Sequence, residues 1–212
     1  MKLYDFKAAP NARRVSMFIA EKGLDIPRVE VNLQTQEQLS EDYAKVNFLQ
    51  QVPALELDDG TVITESEAIC LYLERLHPEP CLMGSTPLEH AQVLMWDRRM
   101  ELTGQMAVAD AFRNSNPAFA GRAISGPDDF EQIPALAERG RVRAERFLER
   151  LDGFLADRPY VAGDKFSLAD ITAFVAVDFA RIIKLRPPAE LVHLTRWYQE
   201  IRARPSAVAT AA

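Results

Sequence analysis

Hydrophobic and polar residues alternate in two short stretches near the start of the chain, residues 2–6 and 28–33. Such alternation predicts strands that are buried on one face. Between them, the apolar positions of residues 10–23 recur at the period of a helix. A helix that joins two strands over so short a distance predicts a βαβ unit with a parallel pair. Ser40 can cap a further short helix over residues 41–45.

The next apolar stretches, residues 54–57 and 62–63, flank a turn that contains Asp59-Gly60. An Asp-Gly turn between alternating apolar residues is a strong hairpin signal, so these two strands are predicted to be antiparallel. A helix then begins at Ser66 and ends before Pro78, because the residue preceding a proline is disfavoured in the helical region. The first part of the chain therefore has the predicted order β-α-β-α-β-β-α.

The rest of the chain is helical in pattern. Apolar stripes predict long helices over residues 88–114 and 136–155, and Pro205 limits a final helix before a small-residue tail, residues 207–212. We therefore predict an α/β plus all-α fold, with a small α/β domain followed by an all-helical domain. The predicted limits are 1–78 for the first domain, 79–88 for a linker that contains Pro and Gly, and 89–212 for the helical domain.

A capping box is predicted at the start of one helix of the second domain. Ser167 is followed three residues later by Asp170, in place of the more common Glu, just before the apolar residues Ile171 and Phe174. Replacing Ser167 or Asp170 is therefore expected to lower stability.

Composition narrows the possible partners. The chain has 212 residues and a formal net charge of −6, without a basic stripe, which argues against nucleic acid as a partner. No apolar run is long enough for a membrane span or a signal peptide, so the cytoplasm is the expected location.

Cys70 and Cys81 are too few for a disulfide scaffold. The three histidines are scattered, and no spacing suggests a metal site.

Two neighbouring signals suggest a binding site for a peptide-like molecule. Pro53 cannot donate to a sheet, and a cis Val52-Pro53 bond would leave the Val52 main chain open to an added strand. The alternative is a trans proline that starts a strand. Glu65 and Ser66, at a helix N-terminus, offer sites for a cation and an anion, as in an amino-acid head. The alternatives are that Glu65 is only a solvated carboxylate and that Ser66 is only the N-cap of the helix.

Four motifs occur in this order along the chain: Gln51-Val52-Pro53-Ala54-Leu55, Asp59-Gly60, Glu65-Ser66 and Ser167-Leu168-Ala169-Asp170. In these motifs and their order, the chain resembles a cytosolic glutathione transferase. The resemblance implies a thioredoxin-like N-terminal domain, an all-helical C-terminal domain, a homodimer and glutathione as co-substrate. It also implies that Pro53 is cis and that the Val52 main chain pairs with the cysteinyl part of glutathione. Glu65 and Ser66 would hold the γ-glutamyl head, and Gln38 and Gln51 the glycine carboxylate.

The chain differs from the common classes of this family at the loop where the reactive sulfur of glutathione would lie. The loop before the first helix has no Ser, Cys or Thr from Lys7 to Pro10. The run Ala9-Pro10-Asn11 resembles bacterial transferases of the Nu class, which carry Thr-Pro-Asn there. Asn11 is therefore predicted to contact the glutathione sulfur and stabilise its thiolate, together with backbone N–H groups. The alternative is that Asn11 only caps the helix, and the two roles are compatible.

Three functions follow from these residues. The first is conjugation of the glutathione thiolate to a small electrophile. The second is a glutathione-dependent disulfide reductase or peroxidase, which the Nu-like loop favours and whose acceptor would be a disulfide or a peroxide. The third is a non-catalytic protein of the same fold that binds partners.

Overall fold

The computed structural model of the chain describes residues 1–211. Its first strands and α-helices follow the predicted order β-α-β-α-β-β-α. The strands are Lys2–Asp5 (β1), Arg28–Glu30 (β2), Ala54–Glu56 (β3) and Val62–Thr64 (β4), and the helices are Pro10–Glu21 (α1), Glu41–Val46 (α2) and Ser66–Leu76 (α3). A 3-10 turn over Glu37–Leu39 precedes α2.

The four strands form one mixed sheet in the order β2-β1-β3-β4. β1 and β2 are parallel, as the predicted βαβ unit requires, and β3 and β4 form the predicted antiparallel hairpin, with Leu55 opposite Ile63. β2 is shorter than predicted because the chain turns at Asn32, whose Oδ1 accepts a hydrogen bond from the Gln34 N–H at 2.9 Å. Leu3 and Leu55, from the two central strands, are fully buried.

Helices make up most of the remaining chain. They are Pro87–Met100 (α4), Met106–Arg113 (α5), Pro134–Phe154 (α6), Leu168–Phe179 (α7), Val192–Arg202 (α8) and Pro205–Ala209 (α9). The helix predicted over residues 88–114 is in fact α4 and α5 joined by a π-helical turn, Glu101–Gln105. None of the helices described within residues 1–211 is long and apolar enough to cross a membrane.

The small-residue tail differs from its prediction, because it begins as a helix. Pro205 follows α8 and then starts α9, since proline suits the first turn of a helix. Ser206 and Ala207 are buried, and the Ser206 hydroxyl donates to the Glu21 carboxylate at the end of α1. Ala212 lies outside the described residues.

The chain divides into two compact units. The first contains Met1–Pro80, Ile124–Asp128 and the C-terminal segment that begins at Pro205, and the second contains Cys81–Ala123 and Asp129–Arg204. The first unit holds the sheet and the second is helical, so the predicted α/β plus all-α fold class is confirmed. The limits 1–78, 79–88 and 89–212 stay a prediction.

The start of α7 is held by a buried carboxylate. Ser167 and Asp170 form a capping box, in which the Asp170 Oδ2 accepts from the Ser167 N–H at 3.0 Å. The Asp170 Oδ1 also accepts from the Val161 N–H and the Trp197 Nε1–H, each at 2.9 Å. Burial raises the pKa of Asp170 from 3.8 to about 6, against the opposing effect of these hydrogen bonds.

Gly140, inside α6, lies against the backbone of α5. A Cβ added there would lie 2.6 Å from the Ala111 nitrogen and 2.8 Å from the Ala107 oxygen. Backbone atoms cannot move aside without shifting a helix. Gly140→Ala is therefore expected to lower the free energy of unfolding by roughly 1–3 kcal/mol, measured by urea denaturation.

Gly153→Ala, in the same helix, is the matched control for this prediction. A Cβ at Gly153 would meet no atom within 4 Å, and alanine favours a helix over glycine by up to about 1 kcal/mol. The control is therefore expected to be neutral or stabilising. Equal effects of the two substitutions would contradict the close packing of α6 on α5.

Candidate active site

The loop between β1 and α1 leaves the start of α1 without a side-chain cap. Ala9 occupies the N-cap position and makes no side-chain cap hydrogen bond, and Pro10 follows as the first helical residue. The N–H groups of a first helical turn carry partial positive charge. A negatively charged group is therefore stabilised at this position.

Asn11 lies in the first turn of α1 and is half-buried. Its side-chain Oδ1 accepts a hydrogen bond from Nη1 of the buried Arg14 at 3.3 Å. The branch of the amide that faces Arg14 accepts a hydrogen bond and is therefore the oxygen. The other branch is the NH2 group, which can donate to an anion. The alternative that Asn11 caps the helix is wrong, since Ala9 holds that position.

The start of α3 is also without a side-chain cap. Its N-cap residue is Glu65, whose φ of +67° places it in the left-handed region that non-glycine residues seldom adopt. Ser66 is the first residue of the helix, so the alternative that its side chain caps α3 is wrong. The Glu65 side chain is exposed, whereas Ser66 is buried.

A hydrogen bond brings the first turns of these two helices together. The Ser66 hydroxyl donates to the Asn11 carbonyl oxygen at 3.2 Å, although the two residues are 55 positions apart in the chain. Two uncapped helix N-termini therefore lie side by side, with Asn11 on one and Glu65 on the other. Such a pair of positive helix ends, with a carboxylate at its edge, suits a ligand that carries both anionic groups and an ammonium group.

The segment before β3 presents the main chain of Val52. The Val52–Pro53 peptide bond is cis. The preceding carbonyl, of Gln51, accepts from the Tyr43 hydroxyl at 2.7 Å and from the Asn47 Nδ2 at 2.8 Å. Within residues 1–211, neither the N–H nor the C=O of Val52 has a hydrogen-bond partner, so an extended peptide could pair with both.

Tyr43 and Asn47 are site residues that the sequence reasoning missed. Both side chains are buried, and burial raises the pKa of the Tyr43 hydroxyl well above its ordinary value of 10.0, which keeps it a hydrogen-bond donor. The Asn47 Oδ1 also accepts from the Leu49 N–H at 3.0 Å, so this amide braces the segment at two points. Nothing in the pattern distinguishes Tyr43 from an ordinary core tyrosine.

The two predicted glutamines have different environments. The Gln51 Nε2 donates to the Ser125 carbonyl at 2.9 Å. The Gln38 Oε1 is buried, and no described residue donates to it. The oxygen and nitrogen of an amide can exchange places by a flip of the side chain, and a flipped Gln38 would present NH2, the donor that a carboxylate needs.

The structure thus links Asn11 directly to Ser66, while among residues 1–211 no hydrogen bond joins Gln38 to the other predicted residues. No group of three or more His, Cys, Asp or Glu side chains that could hold a metal ion occurs among the described residues. Ser167 and Asp170 lie in the second unit and form the helix cap described above.

Comparisons with known proteins identify the family of the chain. Residues 3–81 match the family model of the glutathione S-transferase N-terminal domain, and residues 97–205 match that of the C-terminal domain. Glutathione S-transferase 2 of Saccharomyces cerevisiae is 37% identical over 209 residues, covering 97% of this chain and 87% of the yeast protein. Protein LigF of Sphingobium is 38% identical over an alignment covering 97% of this chain and 91% of LigF.

Solved structures give the same result. The crystal structure of Gtt2 from Saccharomyces cerevisiae superposes with a TM-score of 0.91 at 36% identity and covers all of both chains. A glutathione S-transferase domain-containing protein from Marinobacter aquaeolei has a TM-score of 0.88 at 35% identity, covering 98% of this chain and 100% of its own.

Proposed function

The chain belongs to the glutathione S-transferase family and is a transferase, and we propose that it conjugates the glutathione thiolate to a small electrophile. The observation that carries this proposal is the Ser66–Asn11 hydrogen bond, which sets two uncapped helix N-termini side by side. Glutathione has a thiol, two carboxylates and one ammonium group, the set of charges that such a site suits.

In this proposal, each end of glutathione has its own partners. The γ-glutamyl carboxylate binds the first turn of α3 at Ser66, and its ammonium group binds the Glu65 carboxylate. The cysteinyl main chain pairs with Val52, next to the cis Pro53, and Gln51 and Gln38 hold the glycine carboxylate. These partners lie within the proposed glutathione-binding domain, residues 1–78.

Asn11 then acts at the sulfur. The thiolate is the reactive form of glutathione, and a donor to the charged sulfur lowers the thiol pKa. The Asn11 NH2 and the N–H groups at the start of α1 supply such donors. No metal is part of this proposal, and the acceptor-binding side chains belong to the helical domain, residues 89–212.

The protein also forms a homodimer in this proposal. Phe48, next to the buried Asn47, is 76% exposed. A large apolar side chain with this exposure is costly in water and suits a contact with a second copy of the chain. A cytoplasmic location and a role in detoxification stay predictions.

Calorimetric titration with glutathione tests the binding site. The wild-type protein is expected to bind one glutathione per chain, and Ser66→Ala to bind it about tenfold more weakly, because a donor to a carboxylate is lost. The loss is limited because the Ser66 hydroxyl already donates to Asn11 in the free protein. Ser85→Ala, which removes an exposed hydroxyl bonded to Glu89, is the matched control and should leave affinity unchanged.

A dipeptide sharpens this test. Cysteinylglycine lacks the γ-glutamyl head and should bind equally to the wild type and to Ser66→Ala. If Ser66→Ala weakened both ligands alike, the assignment of Ser66 to the γ-glutamyl end would be wrong. Absence of glutathione binding by the wild type at millimolar concentration would reject the proposed function.

A second candidate function, glutathione-dependent disulfide or peroxide reduction, is favoured by the Ala9-Pro10-Asn11 loop. It uses the same thiolate with a different acceptor. Conjugation of a chlorodinitrobenzene and reduction of a small mixed disulfide, measured side by side, separate the two. A non-catalytic, partner-binding role would give turnover in neither assay.

A further inference from the structure

The loop between α5 and α6 is closed at its neck. The Arg113 Nε donates to the Ala123 carbonyl at 2.9 Å. The Ala123 N–H donates to the Phe130 carbonyl at 2.8 Å, and the Phe130 N–H donates to the Gly121 carbonyl at 2.9 Å. The intervening segment, Ile124–Asp128, is therefore a short tip whose two ends are held together.

The tip belongs to the first unit, whereas the neck residues Arg113, Ala123 and Phe130 belong to the second. The Ser125 carbonyl accepts the hydrogen bond from the Gln51 side chain. Gly126 is half-buried, and a Cβ there would lie 3.5 Å from the Leu49 oxygen and 3.8 Å from the Gln51 Nε2. The tip thus contacts the segment that carries Gln51 and Val52.

Only glycine fits the backbone at this contact without strain. Gly126 has a φ of +131°, a conformation that residues with a Cβ rarely adopt. A residue with a Cβ there would strain the tip backbone, and its side chain would contact Leu49 and Gln51. The Ser125–Gln51 hydrogen bond therefore depends on Gly126.

The hydrogen bond orders the Gln51 side chain before any ligand binds. A glutamine amide has two N–H groups, so one bond to Ser125 leaves the second N–H for another acceptor. An unrestrained glutamine loses rotamer freedom when it binds a ligand, whereas a side chain already held in place loses less. Holding Gln51 should therefore strengthen whatever it binds.

We propose that the tip Ile124–Asp128 positions Gln51 for the glycine end of glutathione and thereby sets the preference for the tripeptide over thiols that lack glycine. This inference rests on the proposed function. The Ser125 carbonyl and Gly126 are positioning groups, which act through Gln51 and do not touch the reacting sulfur.

Calorimetric titrations with glutathione and with γ-glutamylcysteine, which has no glycine, test this inference. Gly126→Val is expected to weaken glutathione about fivefold and γ-glutamylcysteine by less than about twofold, because only glutathione uses Gln51. The matched control is Gly163→Val, at a φ of +141° in the second unit with no atom near its Cβ. The control carries a similar backbone strain and should leave both affinities unchanged.

A double-mutant cycle shows whether the tip acts through Gln51. On a Gln51→Ala background, Gly126→Val should have no further effect on glutathione affinity. Additive effects, tighter glutathione binding by Gly126→Val, or equal weakening of both thiols would each overturn the inference. If the wild type binds glutathione and Gly126→Val binds it equally well, this inference alone is rejected. If the wild type binds no glutathione, the proposed function is rejected as well.

Discussion

Asp170→Ala is expected to lower the free energy of unfolding by roughly 3–5 kcal/mol, because each buried donor left without a partner costs about 1–3 kcal/mol. Asp170 is fully buried, and its carboxylate accepts from the Val161 N–H, the Trp197 indole N–H, and both the N–H and the hydroxyl of Ser167. The loss exceeds the ~1 kcal/mol of an ordinary helix cap because the side chain joins three segments of the chain.

Thermal unfolding measures this effect, and the melting temperature should fall by roughly 10 °C. Asp164→Ala, six positions earlier, is the matched control: Asp164 is exposed, and the same substitution there should change stability by less than about 0.5 kcal/mol. A loss of only about 1 kcal/mol in Asp170→Ala would show that the bonds to Val161 and Trp197 contribute little.

The pH dependence of stability gives a second readout of the same carboxyl. The folded-state pKa of Asp170, about 6, lies above its ordinary value of 3.8, so the folded protein binds this proton more tightly than the unfolded chain. The carboxyl therefore contributes stability that is present below about pH 4 and is lost as the pH rises through about 6. Asp170→Asn cannot titrate, so the stability of the wild type relative to Asp170→Asn should increase as the pH falls from 7 to 5.

Asn11→Ala is expected to lower kcat/KM for conjugation at neutral pH by roughly 10- to 100-fold, because a hydrogen bond to a charged group contributes about 1.5–3 kcal/mol. The pKa of the bound glutathione thiol should rise by about one pH unit or more, so the variant should recover activity as the pH is raised. Ultraviolet titration of the bound thiolate measures this pKa directly, while calorimetry should show little change in glutathione affinity.

Asn11→Asp separates a catalytic role from a structural one. An aspartate can still accept from Arg14 as Asn11 does, but it has no NH2 group and would repel a thiolate. It should therefore be at least as inactive as Asn11→Ala. An active Asn11→Asp enzyme would contradict the assignment and leave the backbone N–H groups of α1 as the donors to the sulfur.

Local patterns predicted most of the secondary structure. The hairpin of β3 and β4, the βαβ unit and the order of the first seven strands and α-helices depend on side chains within a few positions of one another, and they are confirmed. The pattern did not reveal the π-helical turn that divides α4 from α5, because apolar residues on both sides continue one helical stripe. It also missed α9, which is stabilised by burial against α1 rather than by its own propensity.

The predicted site residues came mainly from a family resemblance, and their contacts came from the structure. Val52, Glu65 and Ser66 were expected near glutathione, but the bond from Ser66 to Asn11 joins residues 55 positions apart. Tyr43 and Asn47 were not expected at all, because their positions in and just after α2 are those of ordinary buried residues.

By itself, the sequence determined the fold class, because periodicity and turn residues are local properties. Its motifs also carried the family resemblance, and that resemblance implied the candidate residues for each end of glutathione. The tertiary structure alone decided which of those residues meet. It set two helix N-termini side by side, and it brought Ser125 to Gln51 from 74 positions away. Such contacts depend on how helices and loops pack, and a pattern of neighbouring residues carries no information about that packing.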